Sequence, residues 1–217
     1  QAASLNGYLV LYQLGHDPLI FDPATSTTSY KRISEHVSYS GTVQQSNAVI
    51  SAYGRTWSAN TSGDKVTIQF SDLVSPMKFS GGTSGTLDTT NVWPRGTDNI
   101  VGLAAHNGFL YIFGTNNILI YQGATAPSTM TLQDVVTGIG LYARDTVQVT
   151  GSDLIFLSST GVRSMQRTIQ EKSQPLNDLS KNVRNDIINA IRSETAANIK
   201  SVYSPLDGFY AFTLPTL

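Results

Sequence analysis

Residues 107–122 read NGFLYIFGTNNILIYQ, and no other stretch of the chain restricts its fold as tightly. Two unbroken apolar runs, Phe109–Phe113 and Ile118–Tyr121, flank a Gly-Thr-Asn-Asn turn. Gly and Asn tolerate the positive φ angles of tight turns, so the stretch predicts a β-hairpin. Its strands do not alternate apolar with polar residues. Both faces must therefore be covered, as in a sheet held between neighbours.

The unit recurs. Asn6-Gly7 opens YLVLY, then a Gly-His-Asp-Pro turn and LIF; Tyr53-Gly54 opens RTWSA, then Thr-Ser-Gly-Asp and KVTIQF. Asp153 opens LIFLS, then Ser-Thr-Gly and VRSMQ, and Asp207-Gly208 opens FYAFTL. Counted from the residue before each first strand, the units begin at 7, 54, 108, 153 and 208, at intervals of 47, 54, 45 and 55. A repeat of roughly 50 residues is the length class of propeller blades. The expectation is an all-β, β-propeller-like domain over residues 1–217, its antiparallel blades stacked around an axis. A β-sandwich with coincidental hairpin spacing is the alternative. The first and last repeats are cut short, which suggests part of a longer polypeptide.

Composition narrows the function classes. Charged residues make up 13% of the chain, about half the usual share. A surface that poor in charge suits an all-β protein packed against partners. The 14 Lys and Arg nearly balance 15 Asp and Glu, and no basic run marks a strong nucleic-acid face. The absence of cysteine excludes disulfides and thiolate metal sites. No segment approaches the roughly 20 apolar residues of a membrane helix.

Between the hairpins, residues 24–46 are Thr- and Ser-rich and predict outer, more polar strands. KVTIQF does alternate, which predicts one face of the second unit nearer solvent. Residues 80–99 are the least regular part and read as one long loop. From Pro175 the period changes. Leu179, Val183, Ile187, Ile188 and Ile191 fall on one stripe of a helix over 177–192, with Asn177 or Asp178 as its cap. Lys181, Arg184, Asn185, Asp186 and Arg192 occupy its other faces, where a neighbouring subunit could sit.

Residues arranged for chemistry are scarce. His16, His36 and His106 lie apart and show no ligand spacing. The GGTSG of 81–85 lacks the Lys-Ser/Thr of a phosphate loop and reads as a plain loop. No GxSxG elbow is present. Trp57 reads as core; Trp93, in the long loop, either anchors a partner or folds back on its own domain. No catalytic, cofactor-binding or metal-binding residue is assigned, no cofactor is expected, and the chain reads as a non-enzyme. Paired glycosidase carboxylates would leave no local trace.

The order of motifs from Ile100 to Phe212 carries a resemblance. IVGLAAHNGFLYIFGTNNILIYQG is followed by GIGLYARDTVQVTGSDLIFLSSTGVRSM, a helix, and IKSVYSPLDGFYAFTLP. This order resembles the propeller of tail nozzle proteins (tail tubular, or packaged-DNA stabilisation, proteins) of short-tailed bacteriophages, which are much larger than this chain. The resemblance implies a structural virion protein of the tail, assembled in the host cytoplasm into a homo-oligomeric ring that is usually sixfold. Its implied partners are portal-side adaptor proteins, tail fibres or spikes, and genomic DNA passing through the lumen without sequence-specific binding. The family offers no catalytic residues to transfer. Two other classes fit the same repeat: a carbohydrate- or protein-binding propeller, and a glycosidase-type propeller.

Overall fold

The computed structural model of the chain describes residues 1–24, 29–94, 96–171 and 179–216. These are mostly β, in five antiparallel sheets with two α-helices. The first sheet holds β1 (Ala2–Leu5), β2 (Tyr8–Leu11), β3 (Leu19–Phe21) and β4 (Lys31–Arg32). The second holds β5 (Ala48–Ala52), β6 (Arg55–Ala59), β7 (Thr67–Phe70) and β8 (Gly85–Asp88). In the third are β9 (Ile100–His106), β10 (Phe109–Gly114), β11 (Asn117–Gln122) and β12 (Thr131–Thr137). The fourth has β13 (Gln148–Thr150), β14 (Asp153–Ser158) and β15 (Gly161–Ser164), and the fifth β16 (Ser201–Ser204) and β17 (Phe209–Phe212). Strands lie in chain order in every sheet, so each is a meander without crossovers.

The sequence unit corresponds to the second and third strands of the first four sheets, and one more strand precedes it each time. The joining turns have a common cause. Asn6 and Gly7 (φ 50° and 81°), Tyr53 and Gly54 (53° and 71°), and Asn107 and Gly108 (49° and 82°) are pairs of left-handed residues. They connect directly opposed residues, Leu5 with Tyr8, Ala52 with Arg55 and His106 with Phe109. Two successive positive φ angles define the hairpin turn whose twist matches that of its strands.

The central hairpin forms as expected, with Phe113 opposite Ile118, but its turn works differently. None of residues 114–117 has a positive φ. The buried Asp98 carboxylate holds the turn instead, accepting from Thr115 N at 3.0 Å, Asn116 N at 2.9 Å and Asn117 Nδ2 at 2.9 Å. A carboxylate that satisfies several amides replaces backbone geometry as the turn's organiser.

Apolar layers join successive sheets. Trp57, Ile68 and Phe70 pack against Leu110, Ile112 and Leu119 between the second and third sheets. Phe113, Ile118 and Ile120 pack against Leu154, Phe156 and Met165 between the third and fourth. Both faces of the third sheet are thus buried, which explains its unbroken apolar strands.

The second sheet corrects the solvent-face expectation. Thr56, Ser58, Gln69 and Ser71 form its polar face, and all are buried. The connector from the first sheet covers it: Gln69 Oε1 accepts from Gln44 N at 2.7 Å, and Gln69 Nε2 donates to Thr42 O at 2.6 Å. Residues 80–99 also differ from the long-loop reading, because β8 lies within them. In residues 24–46 the only strand among the described residues is the two-residue β4.

The expected helix over 177–192 is a 3-10 turn at Lys181–Val183 followed by α2 (Arg184–Arg192). Positions 177 and 178, with both candidate caps, lie outside the described residues. Of the stripe only Ile191 is buried, against Leu157, Val162 and Ile199; Leu179 and Val183 are exposed. A second helix, α1 (Met165–Glu171), replaces the end of the strand that the hairpin repeat predicts over VRSMQ. Ser164 explains it: its Oγ accepts from Arg167 N at 3.3 Å, as an N-cap does.

Candidate functional site

The first strands of successive sheets are neighbours, β1 beside β5, β5 beside β9, and β13 beside β16. Beside them lies a cavity of about 470 Å³, lined from the second, third, fourth and fifth sheets, by Gln1 ahead of β1 and by the Arg144–Thr146 turn. Its walls include Ile50, Leu103, Val147 and Val149, with Gln148 and Lys200 at the polar side.

Asp145 is the hub of this cavity. Arg144 Nε and Nη2 bind its two oxygens, each at 2.7 Å, and Lys200 Nζ binds Oδ2. Gln1 Nε2 donates to Oδ1 at 3.0 Å. Secondary contacts extend the network. Arg144 Nη1 donates to the backbone and side-chain oxygens of Asn47, ahead of β5. Gln148 Nε2 donates to Ser201 O and Oγ, and Ser201 Oγ donates to Asp145 O. One carboxylate thereby ties together the first strands of the first, second, fourth and fifth sheets.

The electrostatics suit a clasp. Burial alone would raise the Asp145 carboxyl, but hydrogen bonds and charge from Arg144 and Lys200 outweigh it and hold the group well below the ordinary carboxylate range. A single carboxylate neutralised by two cations has no partner with which to divide acid and base roles. Among the described residues lining the cavity, Asp145 is the one carboxylate.

The three histidines remain apart. His16 is exposed in the β2–β3 connection. His36 is buried, with Nε2 at 3.2 Å from Asp22 Oδ2 and its ring edge-on to Tyr8. His106 ends β9, and its buried Nε2 has no hydrogen-bond partner among the described residues. No group of three or more His, Cys, Asp or Glu side chains that could hold a metal occurs among the described residues.

The Gly-rich stretch is already filled from within. Asp72 Oδ1 accepts from Thr83 N at 2.9 Å and Thr83 Oγ1 at 2.8 Å, and Arg55 Nη2 donates to the same hydroxyl at 2.7 Å. Trp57 is fully buried, as expected. Trp93 folds back on its own domain, buried in the same apolar layer and donating from Nε1 to Thr89 Oγ1 at 3.1 Å. The polar residues Lys181, Asn185, Asp186 and Arg192 of this segment are exposed, and Arg184 is half-buried.

Sequence reasoning did not single out Arg144, Asp145, Gln148 and Lys200. The available signal was an Arg-Asp pair set between apolar segments in a chain with few charges. No protein-family model matches the chain, and no curated protein matches it.

Proposed function

We propose that the chain is a β-propeller domain of a structural virion protein, a subunit of the ring-shaped tail nozzle of a short-tailed bacteriophage. The ring retains the packaged genome and conducts it on infection. The observation that carries this reading is the arrangement of five meander sheets, the first strands of four of which meet at one cavity with Gln1, just ahead of β1. It agrees with radially disposed blades, the second stacked on the third and the third on the fourth through apolar layers. The motif order from Ile100 to Phe212 supports the family assignment.

The role is mechanical. Sheets buried on both faces are stiff, at about 25 cal/mol per Å² of apolar area removed from water. The cavity's one carboxylate is committed to structure, in keeping with a part that bears load and turns over no substrate. A chain with only 13% charged residues fits a protein enclosed by neighbours.

Light scattering coupled to size exclusion tests the assignment. A ring, sixfold by resemblance, is expected. A chain that stays monomeric at every concentration and fails to join assembling tails would overturn it. Sugar or protein capture by that monomer would establish the binding-propeller class in its place.

A further inference from the structure

Outer strands of sheets present unpaired backbone groups, and proteins blunt them with charge, bulges or brevity. The first sheet ends in β4, two residues long and both basic. The third ends in β12, which pairs with β11 through a register shift at Ile120/Tyr121. The second ends differently. β8 reads Gly-Thr-Leu-Asp, pairs with β7 without a bulge, and has no Pro, Lys or Arg.

Its register shows which groups are free for a partner. Thr89 N donates to Val66 O at 3.1 Å, so the odd-numbered residues of this stretch turn their backbone groups toward β7. In an antiparallel ladder the alternate residues, Thr86 and Asp88, then turn theirs outward. Both are exposed.

Behind this edge a cleft of about 590 Å³ lies between the second sheet and the β11–β12 connection. Leu87, Phe70 and Leu73 form one wall, Pro127 and Met130 the other. Clefts of about 300–1,000 Å³ with apolar walls are the usual size for holding ligand groups. Leu87 shares its face with the cleft, so a neighbour strand would project every second side chain there. At the end of β8 the exposed Asp88 accepts from Thr90 N at 2.8 Å and Thr90 Oγ1 at 2.6 Å through Oδ1 and also feels the charge of Asp64, and among the described residues no Lys or Arg pairs with either carboxylate.

We propose that β8 and the cleft behind it dock an extended segment of a partner protein, added antiparallel as a fifth strand. The segment carries apolar residues at alternate positions, which enter the cleft between Leu87 and Met130. A basic residue lies opposite Asp88, where two carboxylates have no cation among the described residues. Backbone pairing to Thr86 and Asp88 supplies affinity, and the alternating side chains supply selectivity. The site does not depend on the assembly of a ring.

Fluorescence anisotropy with a labelled peptide, Ser-Lys-Leu-Thr-Leu-Thr-Ser, tests this on the chain as it stands. The peptide places Lys opposite Asp88 and a Leu opposite each of Leu87 and Gly85. Saturable binding is expected, weakened about tenfold or more by Thr86→Pro, which removes an outward N–H at a position where an edge strand tolerates proline. The same peptide N-methylated at its central Thr should lose binding to the unaltered chain, which keeps the test valid should the variant fold poorly. Exchanging the peptide's Lys for Glu should weaken binding further. Absence of binding by the unaltered chain, or equal binding of the methylated peptide, overturns the proposal. Dimerisation of the chain through this edge in place of peptide capture overturns it too.

Discussion

Single residues decide how well this chain holds its shape, and Asp145 and Ile112 do so in opposite ways. The folded pKa of Asp145 lies below its ordinary value, so its contribution is fully present above the unfolded value of about 3.9 and is lost as pH falls toward the folded value. The urea midpoint difference between the native chain and Asp145→Asn should therefore stay constant from pH 7 to about 5 and shrink below about 4. A difference that vanished between pH 7 and 5 would assign the clasp's stability to another group. Ile112 is fully buried in the layer between the second and third sheets. Ile112→Asp places an unpaired charge there at a cost of several kcal/mol, so soluble folded protein should be lost. A variant with an unchanged thermal midpoint would place Ile112 outside the core.

At the scale of elements, the β10–β11 hairpin was legible from its two apolar runs, although Asp98 and not a left-handed Gly or Asn organises its turn. The first strands were not. AASL, AVISA and IVGLAAH are rich in Ala, Ser and Gly because they converge where side chains have little room. A Cβ on Gly102 would meet Leu141 Cδ2 at 2.7 Å. Small residues in short strands leave no strong period-2 signal. The Asp145 network was equally hidden, since its members come from positions 1, 47, 144, 145 and 200. The two-residue turns were legible and give a clean test. Gly108 has a φ of 82° and open space where a Cβ would project, so Gly108→Ala changes only backbone preference. It should cost about 1–2 kcal/mol in chemical denaturation, the left-handed penalty for a residue with a side chain. A cost near zero would show that the turn relaxes to another type.

For the whole molecule, the balance between one chain and its assembly is read at α2. Lys181 and Arg192 are exposed, so the double charge reversal Lys181→Glu/Arg192→Glu should shift folding stability by well under about 1 kcal/mol. In the proposed ring it weakens assembly while the monomer stays folded. Unimpaired assembly of that variant would leave the helix with only its packing role on Leu157 and Val162. The Asp145 clasp also governs the order of events in time. Gln1 reaches it across 144 positions and Asn47 meets Arg144 across 97, whereas each meander sheet is built from nearby residues. Loop-closure entropy favours the short-range sheets first and leaves contacts of such span until both ends are positioned. Folding then ends where the clasp closes, and a chain emerging from the ribosome carries sheets already formed while it waits for Lys200.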